Sequence, residues 1–298
     1  MPKQTIVQAL KQGRKLLSDG AWGSLLFAKG LPNSECPELW NITHFEDVKD
    51  VALGYVAAGS DMIMTNSLGA NRFMLSIFAL EDKVAEINIA AAKASREAAG
   101  EDIWLIASVG PTGKMLIMGE VTEQEIYDAY VEQMTALERG GADAVCVETM
   151  SDLDEALIAI RAAKENTSLE VIVTFTFDKT VKGEYRTMMG ITPKESATAC
   201  INAGADVVGT NCSNGIEHMI DITREIRQAL PDSYILVQAN AGMPVSENGS
   251  VVYKETPEYM SQFILPLVEA GADIVGGCCG TTPEHIRLMR KEIDKITK

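Results

Sequence analysis

Eight short apolar runs punctuate the chain, at 16–21, 62–66, 104–109, 144–149, 171–177, 207–211, 234–240 and 274–277, and each is followed by a stretch of helical periodicity. Continuously apolar strands that alternate with helices predict a parallel sheet covered on its outer face. Eight such units predict a (β/α)8 TIM barrel, a fold of roughly 250 residues. No Ser/Gly-rich linker interrupts the pattern, so a single domain over 1–298 is expected. Helices are expected over 123–139, 153–164, 216–230 and 258–270. Thr192, Thr256 and Thr282 each precede a proline and read as N-caps with proline at the first helical position.

A repeat marks every second strand. Gly59-Ser60-Asp61, Gly141-Ala142-Asp143, Gly204-Ala205-Asp206 and Gly271-Ala272-Asp273 precede the second, fourth, sixth and eighth runs. The glycine suits the C-terminal end of the preceding helix. The aspartate enters the strand at the bottom face, where barrel residues mostly serve stability.

The opposite ends of the runs carry the candidate chemistry. They close on Asp19, Thr65-Asn66, Gly110-Pro111, Glu148, Phe177, Asn211-Cys212, Asn240 and Cys278-Cys279. In a barrel these ends ring one pocket, served by the loops that follow them. Two such connections are long, at 21–43 and 240–256. Cys278 and Cys279 are flanked by Gly276, Gly277 and Gly280, and glycine permits the sharp bend that would turn both thiols toward one metal. Cys212 ends another run in the matching place. Three thiols at two strand ends predict a zinc site with one position open. A vicinal Cys278–Cys279 disulfide would leave the placement of Cys212 without a reason.

Asp19 and Glu148 stand on apolar backgrounds. They suit a grip on an amino-acid ammonium, general acid–base work, or plain strand-end capping. His44, His218 and His285 fall in or near helices, so an all-thiolate site is favoured over a Cys/His one. Cys146 reads as a small core residue, and Cys36 and Cys200 as incidental. The methionine-rich segment at 187–190 reads as packing. Lys114, Lys179 and Lys182 lie beyond the strands, which argues against a Schiff-base aldolase.

Composition narrows the partners. The formal charge of −16 argues against nucleic acid, whose binding rests on phosphate contacts. No apolar run reaches the roughly 18 residues a membrane span requires. The polar N-terminal stretch lacks the apolar core of an export signal. A cytoplasmic location follows as the expectation, with the six cysteines free or metal-bound.

The segments Asp19-Gly20-Ala21-Trp22-Gly23-Ser24, Thr65-Asn66-Ser67, Gly110-Pro111-Thr112-Gly113, Glu148-Thr149-Met150, Asn211-Cys212 and Gly276-Gly277-Cys278-Cys279-Gly280-Thr281-Thr282-Pro283 occur in one order along nearly the whole chain. In that order they resemble the homocysteine S-methyltransferase family. The resemblance implies a (β/α)8 barrel that holds Zn2+ through Cys212, Cys278 and Cys279 and methylates homocysteine to methionine, with the homocysteine thiolate at the open position. It also implies an ammonium grip by Asp19 and Glu148 and a pocket lined by Gly20, Ala21, Ser24 and Asn66, to which the strand-end position of Asn240 adds a further substrate-binding residue. Trp22 and Ser24 depart from the family's usual methionine- or leucine-like residue and threonine, which bears on substrate fit.

The chain resembles the homocysteine-binding module of cobalamin-dependent methionine synthase standing alone. Gly280 leans to that branch. The implied methyl donor is a methyl-corrinoid on a separate partner protein, with a sulfonium such as S-methylmethionine as the alternative. Methylation of another small thiol is a lesser alternative. A zinc or thiol sensor would use the same cysteines without the amino-acid pocket.

Overall fold

A computed structural model describes residues 4–247 and 250–296. Positions 248 and 249 of the second long connection lie outside the described residues. The eight barrel strands are β1 (Leu16–Leu17), β2 (Met62–Met64), β3 (Trp104–Val109), β4 (Ala144–Met150), β5 (Glu170–Phe175), β6 (Val207–Gly215), β7 (Tyr234–Asn240) and β8 (Ile274–Gly277). They form one parallel sheet in the order β1-β8-β7-β6-β5-β4-β3-β2. The expected (β/α)8 TIM barrel is the fold observed.

The outer helices are α1 (Phe45–Ala58), α2 (Val84–Ala99), α3 (Glu123–Arg139), α4 (Leu153–Asn166), α5 (Pro193–Asn202), α6 (Ile216–Ala229), α7 (Ile264–Ala270) and α8 (Pro283–Ile296). The helix expected over 258–270 is instead two, Pro257–Ser261 and then α7. Pro266 lacks the amide that would bond back to residue 262, so the helix cannot run through.

Two cores follow from strand geometry. Leu16, Met62, Met64, Trp104, Ile106, Cys146, Ile172, Val207, Leu236 and Ile274 fill the barrel interior, while alternate strand residues pack outward on the helices. The short helix Ile6–Lys11 adds Ile6, Ala9 and Leu10 to the interior cluster. Its amides at Ile6 and Val7 are capped by the Glu170 carboxylate on β5 at 2.7 and 3.1 Å.

The four-fold repeat is a set of register clamps. Gly59, Gly141, Gly204 and Gly271 all take positive φ. Each aspartate then accepts the backbone amide of a residue in the preceding odd strand: Asp61 from Leu17, Asp143 from Leu105, Asp206 from Val171 and Asp273 from Ile235. Each also meets a cation, respectively Arg290, Arg96, Lys164 and Arg227.

The β1–β2 seam closes like the other odd–even pairs at its lower end and differs at its upper end. At its lower end the Asp61 amide donates to the Leu17 carbonyl at 2.8 Å. At its upper end the Asp19 carboxylate accepts the Met64 amide at 2.8 Å. The run expected to be strand through residue 21 is therefore strand only at Leu16–Leu17, with a side chain standing in for the next ladder bond.

Candidate functional site

The C-terminal ends of β4 and β6 are re-aimed by irregular backbone. Their pairing registers break between Val147 and Met150 and between Asn211 and Gly215. Thr149, Cys212 and Ser213 take positive φ there, at 62°, 61° and 56°. Left-handed conformations in non-glycine residues are costly and tend to sit at functional sites, as do bulges at barrel rims. Here they direct Glu148 and Cys212 at the mouth.

Cys278 and Cys279 extend the β7–β8 ladder: the Cys278 amide donates to Ala239 at 2.7 Å and the Cys279 carbonyl accepts from Ala241 at 2.9 Å. The flanking glycines serve in two ways. Gly280 takes a φ of +79°, as the expected bend requires, and a Cβ there would collide with the Tyr253 ring. Gly277 does not use positive φ; it is glycine because the Thr281 side chain occupies the place of a Cβ.

The sulfur atoms of Cys212, Cys278 and Cys279 lie within 4.8 Å of one another, with Cys212 and Cys279 at 3.9 Å. Tetrahedral Zn2+ with Zn–S bonds of about 2.3 Å separates its sulfurs by about 3.8 Å, so the trio fits such an ion. Without metal, S–H donation from Cys278 and Cys279 holds the Cys212 thiol far below the usual thiol range, while their own thiols are pushed up. Asn240 beside Cys212 helps hold that thiol down, and Tyr253 beside Cys279 works against the rise there.

A cavity of about 250 Å³ opens beside the trio, lined among others by Gly20, Ala21, Trp22, Ser24, Asn66, Ser108, Glu148 and Gln238. Among the described residues no histidine or lysine lines it. Glu148 accepts from the Ser108 hydroxyl and, at 3.2 Å, from the Asn211 amide. Burial, reinforced by the charge of Asp19, pushes its carboxyl up to about 7 against the pull of Ser108. Asn211 is a hub: its Oδ1 accepts the Thr149 amide and the Thr174 hydroxyl, both at 2.9 Å.

The other expected residues divide. Ser24 accepts the Gly280 amide at 3.1 Å, and Asn66 donates to Pro37 and Asn41 at 2.9 Å each. The Ala21 amide donates to Thr281 and its carbonyl accepts from Tyr55. Asp19 departs from the expected ammonium grip. It is 0% exposed and does not line the cavity. Its Oδ2 already accepts from the Trp22 indole at 2.9 Å and the Met64 amide at 2.8 Å, and its Oδ1 from Ser18 at 3.2 Å. Burial raises its carboxyl to about 6 against these donors. Asn240 is not among the cavity-lining residues, and its Oδ1 is buried without a partner among the described residues.

The remaining expectations are mixed. Cys146 is buried as expected, and Cys36 and Cys200, read as incidental, are buried too. His285 is a packing residue, its Nδ1 accepting from Thr282 and its Nε2 meeting the Glu255 carbonyl at 3.0 Å. Met188, expected to pack, is instead 82% exposed. Among the described residues no helix is long and apolar enough to cross a membrane.

A (β/α)8 barrel that gathers three thiols and a carboxylate at its mouth defines the class. The family profile described as homocysteine S-methyltransferase matches residues 16–293. The chain belongs to the homocysteine S-methyltransferase family. Curated relatives include proteins named methionine synthase from Mycobacterium tuberculosis and Mycobacterium leprae, each 29% identical, over 96% and 95% of this chain. The chain spans only about a quarter of their length, 25% and 24%. Among solved structures, the homocysteine methyltransferase MmuM from Escherichia coli is similar in its metallated form, with a TM-score of 0.78, 20% identity and coverage of 96% of this chain and 99% of that one. Its oxidized form gives 0.79 at 19% identity, covering 97% and 99%. These two likenesses bear on the fold.

Proposed function

We propose that the chain is a zinc-dependent methyltransferase that methylates homocysteine to methionine, using a methyl-corrinoid carried by a separate protein. The carrying observation is the convergence of the three sulfurs of Cys212, Cys278 and Cys279 on one cavity that also presents Glu148. The barrel acts as one domain. Free thiols at the site fit the reducing cytoplasm.

Cys212, Cys278 and Cys279 would hold the ion. Zn2+ bound there supplies a Lewis-acidic open position at which a thiol loses its proton near neutral pH. Asn240 and Tyr253 orient two of the ligand sulfurs, the outer-shell support that metal sites require. Glu148 offers a carboxylate to the amino end of homocysteine. Gly20, Ala21, Ser24 and Asn66 form the wall against its carbon chain. With the acceptor so held, its sulfur forms the new S–C bond as the donor–carbon bond breaks, and that electron pair leaves with the donor.

Two features support a donor on a partner. The cavity of about 250 Å³ lies below the roughly 300–1,000 Å³ of ordinary small-molecule sites, so a corrinoid's bulk would stay outside. Exposed apolar side chains also stand on the loops after four strands, including Leu68, Ile117, Met118, Val181, Met188 and Met243. Apolar exposure of that kind favours protein contact. The test is methionine formation by zinc-loaded protein from homocysteine with methylcobalamin, a methyl-corrinoid protein or S-methylmethionine. Product from either corrinoid supports the proposal; product from S-methylmethionine alone rejects it.

A further inference from the structure

Gln238 is 3% exposed and lines the cavity beside Glu148 and the cysteines. Its Nε2 donates to the Ser18 hydroxyl at 3.2 Å. Its Oε1 is buried and has no partner among the described residues. A buried acceptor left unpaired costs free energy, and such groups in native folds call for an explanation. The missing partner is a donor, and a cavity beside a carboxylate selects a cationic one.

The position fits. Gln238 pairs in register with Asn211, whose amide reaches Glu148. Two further carboxylates lie near, and both are engaged: Glu38, which also lines the cavity, accepts the Gly69 amide on Oε1 and the Cys36 thiol on Oε2, and Asp19 is withheld. The Trp22 indole, itself a cavity wall, occupies its Oδ2 together with the Met64 amide, and Ser18 occupies Oδ1.

Building on the functional reading above, we infer that the substrate's α-ammonium is held between the Glu148 carboxylate and the Gln238 carbonyl oxygen, while Trp22 keeps Asp19 from contact. Gln238 is thus a substrate-binding residue. Trp22 is a positioning residue that determines which acid the substrate meets.

The test compares two thiols on zinc-loaded protein by calorimetry: homocysteine, and 4-sulfanylbutanoate, which is the same chain without the amino group. Their affinity ratio isolates the ammonium contact from general damage. Gln238→Leu and Glu148→Gln each lower the ratio about ten-fold or more, the effect of a lost hydrogen bond to a charged group. Gln238→Glu keeps an acceptor and keeps the ratio, which guards against a folding defect in the leucine variant. Trp22→Phe frees an Asp19 oxygen and raises the ratio by about three-fold or more. A ratio unmoved in Gln238→Leu, or unmoved or lowered in Trp22→Phe, overturns the inference. Wild-type protein that binds neither thiol overturns instead the functional reading beneath it.

Discussion

Asn211 joins Glu148 to the strand that carries the first of the three clustered thiols: its amide donates to the Glu148 carboxylate at 3.2 Å, one residue before Cys212. The same side chain accepts the Thr149 amide at 2.9 Å and donates to the Thr149 hydroxyl at 2.8 Å. One fully buried amide thereby ties the left-handed Thr149 to the strand that carries the left-handed Cys212.

Asn211→Ala strands these partners. Each buried polar group left unpaired costs about 1–3 kcal/mol, so urea denaturation should show a loss in that range or above. Zinc affinity should fall about 10–100-fold, as for other outer-shell changes at metal sites. A competition titration with a chelator checks it, and unchanged affinity would separate Asn211 from the metal site.

Glu148 gives the metal-free protein a pH signature. Its carboxyl lies near 7 when folded, against about 4.3 unfolded. Between those values the folded state binds more protons, so this group's contribution to stability is full below the unfolded value and declines as pH rises through the folded one. Glu148→Gln removes that decline. The variant's stability relative to wild type should therefore rise between about pH 4.5 and pH 7.5. Denaturation curves across that range measure it; a difference that is flat or shrinks contradicts the assignment.

Gly280→Ala tests the fit of the second long loop over the cysteines. The added Cβ meets the Tyr253 ring at a φ of +79°, where a side chain is strained by about 1–3 kcal/mol. Tyr253 and Cys279 should shift apart. The expected readouts are weaker zinc binding and a lower Tm; full zinc affinity would count against Tyr253 as support for Cys279.

At the other end of the barrel, Asp206→Ala leaves the Val171 amide and Lys164 without their carboxylate. A stability loss of about 1–3 kcal/mol is expected, with zinc stoichiometry unchanged. Loss of zinc would show that the bottom-face clamps also hold the mouth.

The periodic parts of this structure were legible in the sequence because they follow from pattern. The eight apolar runs became the eight strands, and the repeated aspartates became clamps at one end. The thiol trio was legible because three cysteines ended two such runs. The parts that escaped depend on backbone that residue type does not announce. Thr149, Cys212 and Ser213 are left-handed without being glycine, so the bulges that aim Glu148 and Cys212 carry no local signature. Asp19 looked like a pocket carboxylate, but the partners that bury it, Trp22, Met64 and Ser18, meet it through the seam and the loop that follows. Gln238 sat inside an apolar run and drew no notice; its unpaired oxygen is visible only in three dimensions. The split of the helix expected over 258–270 did have a signal, Pro266.

Zinc K-edge X-ray absorption tests the central claim most directly, on zinc-loaded protein before and after homocysteine. The account predicts three sulfur ligands at about 2.3 Å plus one lighter atom at first, and four sulfurs once homocysteine binds. A zinc shell with fewer than three sulfurs, or one that gains none on adding homocysteine, would contradict it.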